Sequence, residues 1–348
     1  MERKNVFLTA AMAAALTIVS CSNDESDSLP QSPAELKISA SMVPSLEVNT
    51  RAGYDLQSQS LEDFTKIGIY VWYIGETGAK ASAPAYAGYA NDKVASYSGS
   101  GTGPYTLTPT STMYFPVNNA DVDVYLYAPY NANPSQTDMC MDHTVSTDQS
   151  LTAGYVASDF IYGKATADYD DPSDPKEAKV TMYHAMSKII FKVVNNGVDP
   201  NNMTDITLNN MFTKTTIRMP QAINNTAPYL TCGSNSTDNV ASPNTLADIK
   251  VWGTPGTGAV TVADTQTNGV ACVVPPQTTS TSPNKAQVTI TVDGKTATAD
   301  FSGKTLKPGY VYTYNLKLVG QTLTITLVSI KNWETDEVAS DLTFDTWS

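Results

Sequence analysis

The sequence predicts an all-β protein built as two successive β-sandwich domains. Three observations carry that expectation. Hydrophobic residues recur with period two along the chain, and no long stretch of 3.6-residue periodicity competes with them. Pro, Gly and Asn punctuate these runs at short intervals, the habit of sandwiches and not of βαβ units. Only 16% of the 348 residues are charged, while Thr, Ser, Asn and Tyr abound, which disfavours helices and favours strands and turns.

The first strand is the cleanest. In Glu35-Leu-Lys-Ile-Ser-Ala-Ser-Met42, Leu36, Ile38, Ala40 and Met42 share one face, and Glu35, Lys37, Ser39 and Ser41 the other. Ile67–Ile74 follows, apolar on both faces. Asp121–Ala128 sets Val122, Val124, Leu126 and Ala128 against Asp121, Asp123, Tyr125 and Tyr127. Further strands are expected at 180–194, 205–209, 270–274, 287–292, 310–318 and 322–330. In Tyr310–Leu318, the face carrying Tyr310, Tyr312, Tyr314, Leu316 and Leu318 is a core face. Helix is expected only as single turns, for example near 157–162. Long polar loops at 86–104 and 232–244 should decorate the surface. The charged, Pro-rich stretch Asp168–Pro175 suggests a boundary, with one domain at about 35–178 and a second at 179–348.

The N-terminus decides the compartment. Arg3 and Lys4 precede an apolar run, Val6–Val19, too short to span a bilayer comfortably, so residues 1–20 read as an export signal. Leu16-Thr-Ile-Val-Ser-Cys21 resembles a bacterial lipoprotein cleavage box, which makes Cys21 the expected lipidation site. Each buried methylene of the acyl chains would add about 0.8 kcal/mol of membrane affinity. Ser22–Ser28 is acidic, and reads as a solvated tether. It also resembles the post-cysteine signal that sends Bacteroidota lipoproteins to the outer face of the outer membrane.

The charge balance removes one function class. Thirty-four acids face 21 bases, a formal net charge of −13, and loss of residues 1–20 leaves 33 against 19. Such a chain repels phosphate backbones, so nucleic acid is not an expected partner.

Catalytic, cofactor and metal sites are not expected either. There are two histidines. His184 lies on a strand with no Gly-x-Ser-x-Gly elbow in the sequence, and reads as a hydrogen-bonded structural residue. His143 lies beside Asp142 in what reads as a loop. Asp168, Asp170, Asp171 and Asp174 offer oxygens for calcium, but the loop lacks Gly at its sixth position and has Lys179 at its twelfth, so a solvated acidic loop is the reading. Gly99, Gly101 and Gly103 are followed by Pro104–Pro109 and no helix, which leaves a turn and no phosphate cradle. Of Cys140, Cys232 and Cys272, at most two can pair, and Cys272 sits in an apolar strand where a buried thiol is the default. One processing site does stand out. Asn49-Thr-Arg-Ala-Gly53 is turn-rich, and Arg51 followed by the small Ala52 suits a trypsin-like or Arg-specific protease.

In order and spacing these pieces resemble the fimbrillin family of Bacteroidales, the subunits of type V pili. The resemblance runs through the leader to Cys21, Thr50-Arg-Ala52 and Ile67-Gly-Ile-Tyr70. It continues in Met113-Tyr-Phe-Pro116, Val122–Pro129, Ser158-Asp-Phe-Ile-Tyr-Gly163 and Tyr183–Phe191. It closes on Leu306–Tyr314 and Ser329-Ile-Lys-Asn-Trp333. The resemblance implies two tandem transthyretin-like sandwiches with Greek-key-type connections: a lipidated pro-segment 21–51, an N-terminal domain 52–178 and a C-terminal domain 179–348. It implies an outer-membrane lipoprotein cut after Arg51 by an Arg-specific protease. The first strand, with Leu36, Ile38, Ala40 and Met42, would then leave, and a C-terminal strand of another fimbrial subunit would fill the groove. Here the candidate donor is 338–348, with Val338, Leu342 and Phe344 on one face and Ser340 and Thr346 interrupting it. The expected product is a homo- or hetero-polymeric surface fimbrium that adheres to a host protein or glycan receptor. Two alternatives stay open: a non-polymerising tip or accessory subunit, and an anchored surface lipoprotein that binds glycans. An enzyme ranks behind both.

Overall fold

The computed structural model describes residues 34–42, 61, 64, 66–74, 80–84, 92–116, 119–132, 140–172, 176–195, 201–219, 232–233, 240–241, 244–253, 260–262, 269–292, 294–319 and 322–333. The first strands in the chain are β1 (Lys37–Met42), β2 (Gly68–Ile74), β3 (Lys80–Pro84), β4 (Asp92–Ser98) and β5 (Tyr105–Pro109). Then come β6 (Val122–Ala128), β7 (Cys140–Thr144), the one helix of the described residues, α1 (Thr152–Ser158), β8 (Ile161–Ala167) and β9 (Glu177–His184). All of these strands but β7 are joined in the order β3-β2-β4-β5-β1-β9-β8-β6. β2 bonds β4 at Gly68 and Ile69, and β6 along its other edge, so the ladder returns to its start. The result is a sandwich whose two sheets meet at the β2–β4 and β8–β9 corners.

Period two places the side chains. Ile69, Val71, Val122, Val124, Leu126, Ile161, Val180 and Met182 point inward and share a core with β1. The opposite face of β6 does not meet solvent, nor do Tyr70 and Trp72 of β2 or Tyr162 of β8, although β8 reaches solvent farther on at Thr166. Tyr70, Trp72, Tyr125, Tyr127 and Tyr162 are buried in a second core, which is why every residue of β6 is inaccessible.

That second core belongs to the later strands. They are β10 (Ser187–Asn195), β11 (Asn201–Phe212), β12 (Lys214–Arg218), β13 (Cys232–Gly233), β14 (Val240–Ala241), β15 (Leu246–Gly253) and β16 (Val260–Val262). Next are β17 (Val270–Val274), β18 (Gln277–Thr278), β19 (Gln287–Val292), β20 (Lys295–Asp300), β21 (Thr305–Leu306), β22 (Tyr310–Val319) and β23 (Thr322–Asn332). One sheet runs β17-β10-β22-β23 and the other β15-β11-β19-β20, with β16 also on β11. Ile189, Phe191, Tyr312, Tyr314 and Leu316 from the first meet Ile206, Leu208, Val288 and Ile290 from the second. The chain is therefore an all-β sandwich protein, and both sheet systems lie in one unit, Pro33–Ser348.

The two systems interleave. β7 pairs antiparallel with β12, from Lys214↔Thr144 to Arg218↔Cys140. The Gln149 side-chain amide donates to the Val273 carbonyl (2.7 Å) and accepts from the Val273 N–H (2.8 Å), so it caps the edge of β17 as a strand would. Residues 179–184, read from the sequence as the start of the second half, pair with β1 and β8. Passage to the second system occurs at Ala185-Met186, both buried. There the Ala185 N–H donates to Phe160 O, and Met186 O accepts from the Gly309 N–H.

Three local readings differ from the sequence expectation. The helix ends at Ser158 instead of spanning 157–162, because Phe160–Tyr162 alternates between the two cores. The supposed surface loop 86–104 contains β4, paired with β5, with Val94 and Tyr97 packed on the first core. His143 lies on β7 and is buried, its Nε2 2.9 Å from Ser158 O.

Burial fixes the alkaline limit of the fold. Tyr125, Tyr155, Tyr312 and Tyr314 are held above their ordinary value of 10, chiefly by desolvation. The unfolded chain releases those protons near pH 10 while the folded chain keeps them, so stability falls as pH rises past about 10. Lys188 acts oppositely. Burial lowers it from 10.5 to about 8, so the unfolded state binds the extra proton between those values, and stability gains as pH climbs through that window. Urea unfolding should give a free energy that is level or rising from about pH 8 to 9.5 and drops steeply above about 10. A steady decline from pH 8 would contradict this account.

Candidate functional site

The strand read as removable is an interior strand of its sheet. β1 pairs antiparallel with β5 (Ile38↔Leu107, Ser39↔Thr106, Ala40↔Tyr105) and parallel with β9 over six residues, Lys37↔Glu177 to Met42↔Met182. Leu36, Ile38, Ala40 and Met42 are 3%, 2%, 1% and 4% exposed, all in the first core. Strict alternation puts them there, and the same alternation in Ala178, Val180 and Met182 of β9 builds the wall beside them.

Both ends are held. At the start, the Leu36 N–H donates to Met113 O, the Phe115 N–H to Ala34 O and the Lys37 N–H to Lys176 O, at 2.8–2.9 Å. At the finish, the Met42 N–H donates to Thr102 O at 2.9 Å. The glycine turn makes that last contact. Gly99, Gly101 and Gly103 have φ of 143°, 64° and 93°, values that L side chains rarely adopt. A Cβ on Gly103 would lie 2.8 Å from the Ala40 carbonyl oxygen. The Tyr105 hydroxyl donates to Gly101 O, and its ring meets Tyr97 edge-on. The glycines that suggest a phosphate loop at a glance thus close the turn over the end of β1.

Burying Leu36, Ile38 and Met42 stabilises the sandwich by roughly 5–9 kcal/mol, before any backbone bond is considered. β1 contributes these contacts, yet Arg51 stands between it and the rest of the fold in sequence. Cys21, Arg51, Ala52, Val338, Leu342 and Phe344 lie outside the described residues.

The histidine candidates resolve into structure. His184 Nδ1 lies 2.6 Å from Asp159 Oδ2, and its ring stacks on Trp333 with centroids 4.0 Å apart and planes 2° apart. Lys188 Nζ sits over the Trp333 ring at 5.3 Å and the Tyr155 ring at 5.9 Å. His184 and Asp159 are 1% and 0% exposed, so the pair orients a joint and is shielded from any solute. Sequence reasoning missed Asp159, Lys188 and Trp333 as a group, although each lies in a quoted motif. Asp170 N–H donates to Asp168 Oδ1, an ordinary acidic turn, and Asp174 is outside the described residues. Among the described residues no group of three or more His, Cys, Asp or Glu is placed to hold a metal ion. Cys272 is a free, buried thiol.

The family model described as Fimbrillin-like matches residues 50–333, a span that leaves β1 and the 15 residues after Trp333 outside it. The fold is similar to the crystal structure of a candidate cell adhesion protein from Bacteroides ovatus ATCC 8483, with TM-score 0.56 and 17% identity over 88% of this chain and 100% of that one. A candidate cell adhesion protein from Bacteroides uniformis ATCC 8492 is similar at TM-score 0.54 and 16% identity, covering 87% of this chain and 98% of that one. No curated protein matches the sequence.

Two substitutions test the energetics. Ile38→Ala in the uncut chain should cost about 2–5 kcal/mol of unfolding free energy, read by urea titration; a cost below 1 would mean β1 is not part of the cooperative core. Asp159→Ala leaves His184 buried without its hydrogen-bond partner, and should cost about 1–3 kcal/mol in the same assay.

Proposed function

This chain belongs to the fimbrillin-like family, and from that premise we propose that it is a structural subunit of a cell-surface fimbria, assembled by protease-triggered strand exchange and serving adhesion. Residues 1–20 are the export signal, and Cys21 carries the lipid that holds the precursor to the outer membrane. An Arg-specific protease cuts between Arg51 and Ala52. The cut frees the pro-segment 21–51, β1 included, from a body of two tandem transthyretin-like sandwiches with Greek-key-type connections. The proposed domains are 52–178 and 179–348, and the chain passes between the two sheet systems a few residues farther on, at Ala185-Met186. Segment 338–348 of another subunit, presenting Val338, Leu342 and Phe344, takes the vacated place. Partners are therefore other fimbrial subunits, the protease, the membrane before cleavage and a host protein or glycan receptor.

One observation carries this reading. A strand bonded on both edges and buried in the core is supplied from the far side of a candidate cleavage site. Cutting there leaves both of these pairings in place, yet makes a core strand separable. The glycan-binding alternative gives β1 no such role, since an anchored binder needs the 21–51 tether intact.

Surface material from wild-type cells should begin at Ala52 and run at high mass, whereas Arg51→Ala should stay lipidated and monomeric, as read by N-terminal sequencing and sizing. High-mass fibres from the Arg51→Ala chain would exclude protease-triggered assembly.

A further inference from the structure

We propose that residues 338–344 of a second copy of this chain fill the bed of β1 running opposite to β1, with Ser340 in the place of Ala40. The inference rests on the strand-exchange reading and adds its direction and register.

The bed has an order of sizes. Ile38 lies between Leu107 on β5 and Ala178 on β9, so a small neighbour leaves room for a large side chain. Ala40 lies between Tyr105 and Val180 and is 1% exposed, so two larger neighbours leave room for little beyond a methyl. Met42 stands beside Met182, and Leu36 beside Met113. From 36 to 42 the bed therefore takes large, large, small, large. Interiors packed this closely resist added carbons.

Read forward, the tail offers Val338, Ser340, Leu342 and Phe344: large, small, large, large. That order sets Leu342 against Tyr105 and Val180. Read backward it offers Phe344, Leu342, Ser340 and Val338: large, large, small, large. Phe344 then replaces Leu36, Leu342 replaces Ile38, and Val338 replaces Met42. The serine that interrupts the apolar stripe is the residue that fits the tight place.

Asp341 takes the place of Ser39, whose partner on β9 is Lys179, in either direction, so opposite charges face across the ladder and this row supports the segment without choosing its direction. Reversal also changes the pairing type. β1 runs parallel to β9 over six residues and antiparallel to β5 over three. A reversed strand makes the longer contact antiparallel, the slightly stronger arrangement per residue. Residues 334–337 remain as the reach from Trp333, about 13 Å when extended.

The test uses the full chain, cut at Arg51 with trypsin and followed by sizing. Ser340→Ile should slow polymerisation by about tenfold or more, while Ser340→Ala should polymerise at least as well as wild type. A forward register predicts the reverse for Ser340→Ile, because that residue would then enter the roomy place of Ile38. Direction is read independently by cross-linking. Glu177→Cys combined with Thr343→Cys should give an oxidised ladder of linked subunits, and Glu177→Cys combined with Ala339→Cys should not. A ladder only from the second pair, or Ser340→Ile polymerising as fast as wild type, overturns the direction and leaves strand exchange standing. Polymerisation that survives deletion of 338–348 overturns both.

Discussion

The ladder from β5 to β9 passes through β1, and the closure of the first sandwich depends on that one short strand. Remove it and both neighbours present open edges, with Tyr105, Leu107, Val180 and Met182 turned toward water. An exposed pair of edges flanking an apolar trough invites another strand. Details around it follow from the same constraint. Ala178 is small because Ile38 is large, and the Gly99–Gly103 turn has no Cβ where the Ala40 carbonyl approaches. The bed is shaped for a strand of defined size order, whichever segment supplies it.

A second constraint fixes the body on which this bed is built. Three segments distant in sequence, Ser158–Gly163, Tyr183–Phe191 and Ser329–Trp333, meet where Asp159, His184, Trp333 and Lys188 pack together. A hydrogen bond buried this deeply adds only modest net stability, but breaking it leaves a polar group stranded in an apolar interior, so the arrangement tolerates little rotation. The aromatic wall of Tyr70, Trp72, Tyr125, Tyr127 and Tyr162 extends the same contact. Trp333 is also the point from which the tail departs. Its backbone N–H donates to Gly309 O and its indole is covered by His184, so the origin of any donated strand is fixed relative to the joint.

Much of this was legible in the sequence, and the limits are physical. β1 declared itself because its alternation is strict and its outward face polar. Tyr310–Leu318 did so because its aromatic face is unbroken. The second burial of β6 was harder to read, since Tyr125 and Tyr127 suit a solvent-facing strand as well as an aromatic joint. Which strands flank β1 was not readable, because period two gives a face and carries no register to a partner more than 60 residues away. β4 was hidden by the small and polar residues around it, and His143 by its polar neighbours. For the donor, sequence alone made Ser340 a flaw in the stripe. Only the row Tyr105–Ala40–Val180 turns it into a match.

In the proposed assembly, cleavage at Arg51 leaves the pairings of β1 with β5 and β9 in place, so its effect is entropic. While the chain is whole, β1 is joined through residues 43–60 to the body, whose first core begins again at Leu61 and Phe64, and its effective concentration at the bed is of millimolar order or above. A competing strand from another subunit meets that concentration and loses. After the cut, each departure of β1 is diluted into the surroundings and return becomes bimolecular. The barrier remains, because several kilocalories of burial and both ladders still hold the strand. Outright departure would expose the whole trough at once. Replacement residue by residue exposes only one row at a time, so the incoming strand must match each row it reaches, and a misfit at the row of Ala40 halts it midway. In the proposed assembly, specificity for the correct subunit then arises during exchange, at the narrowest place in the bed.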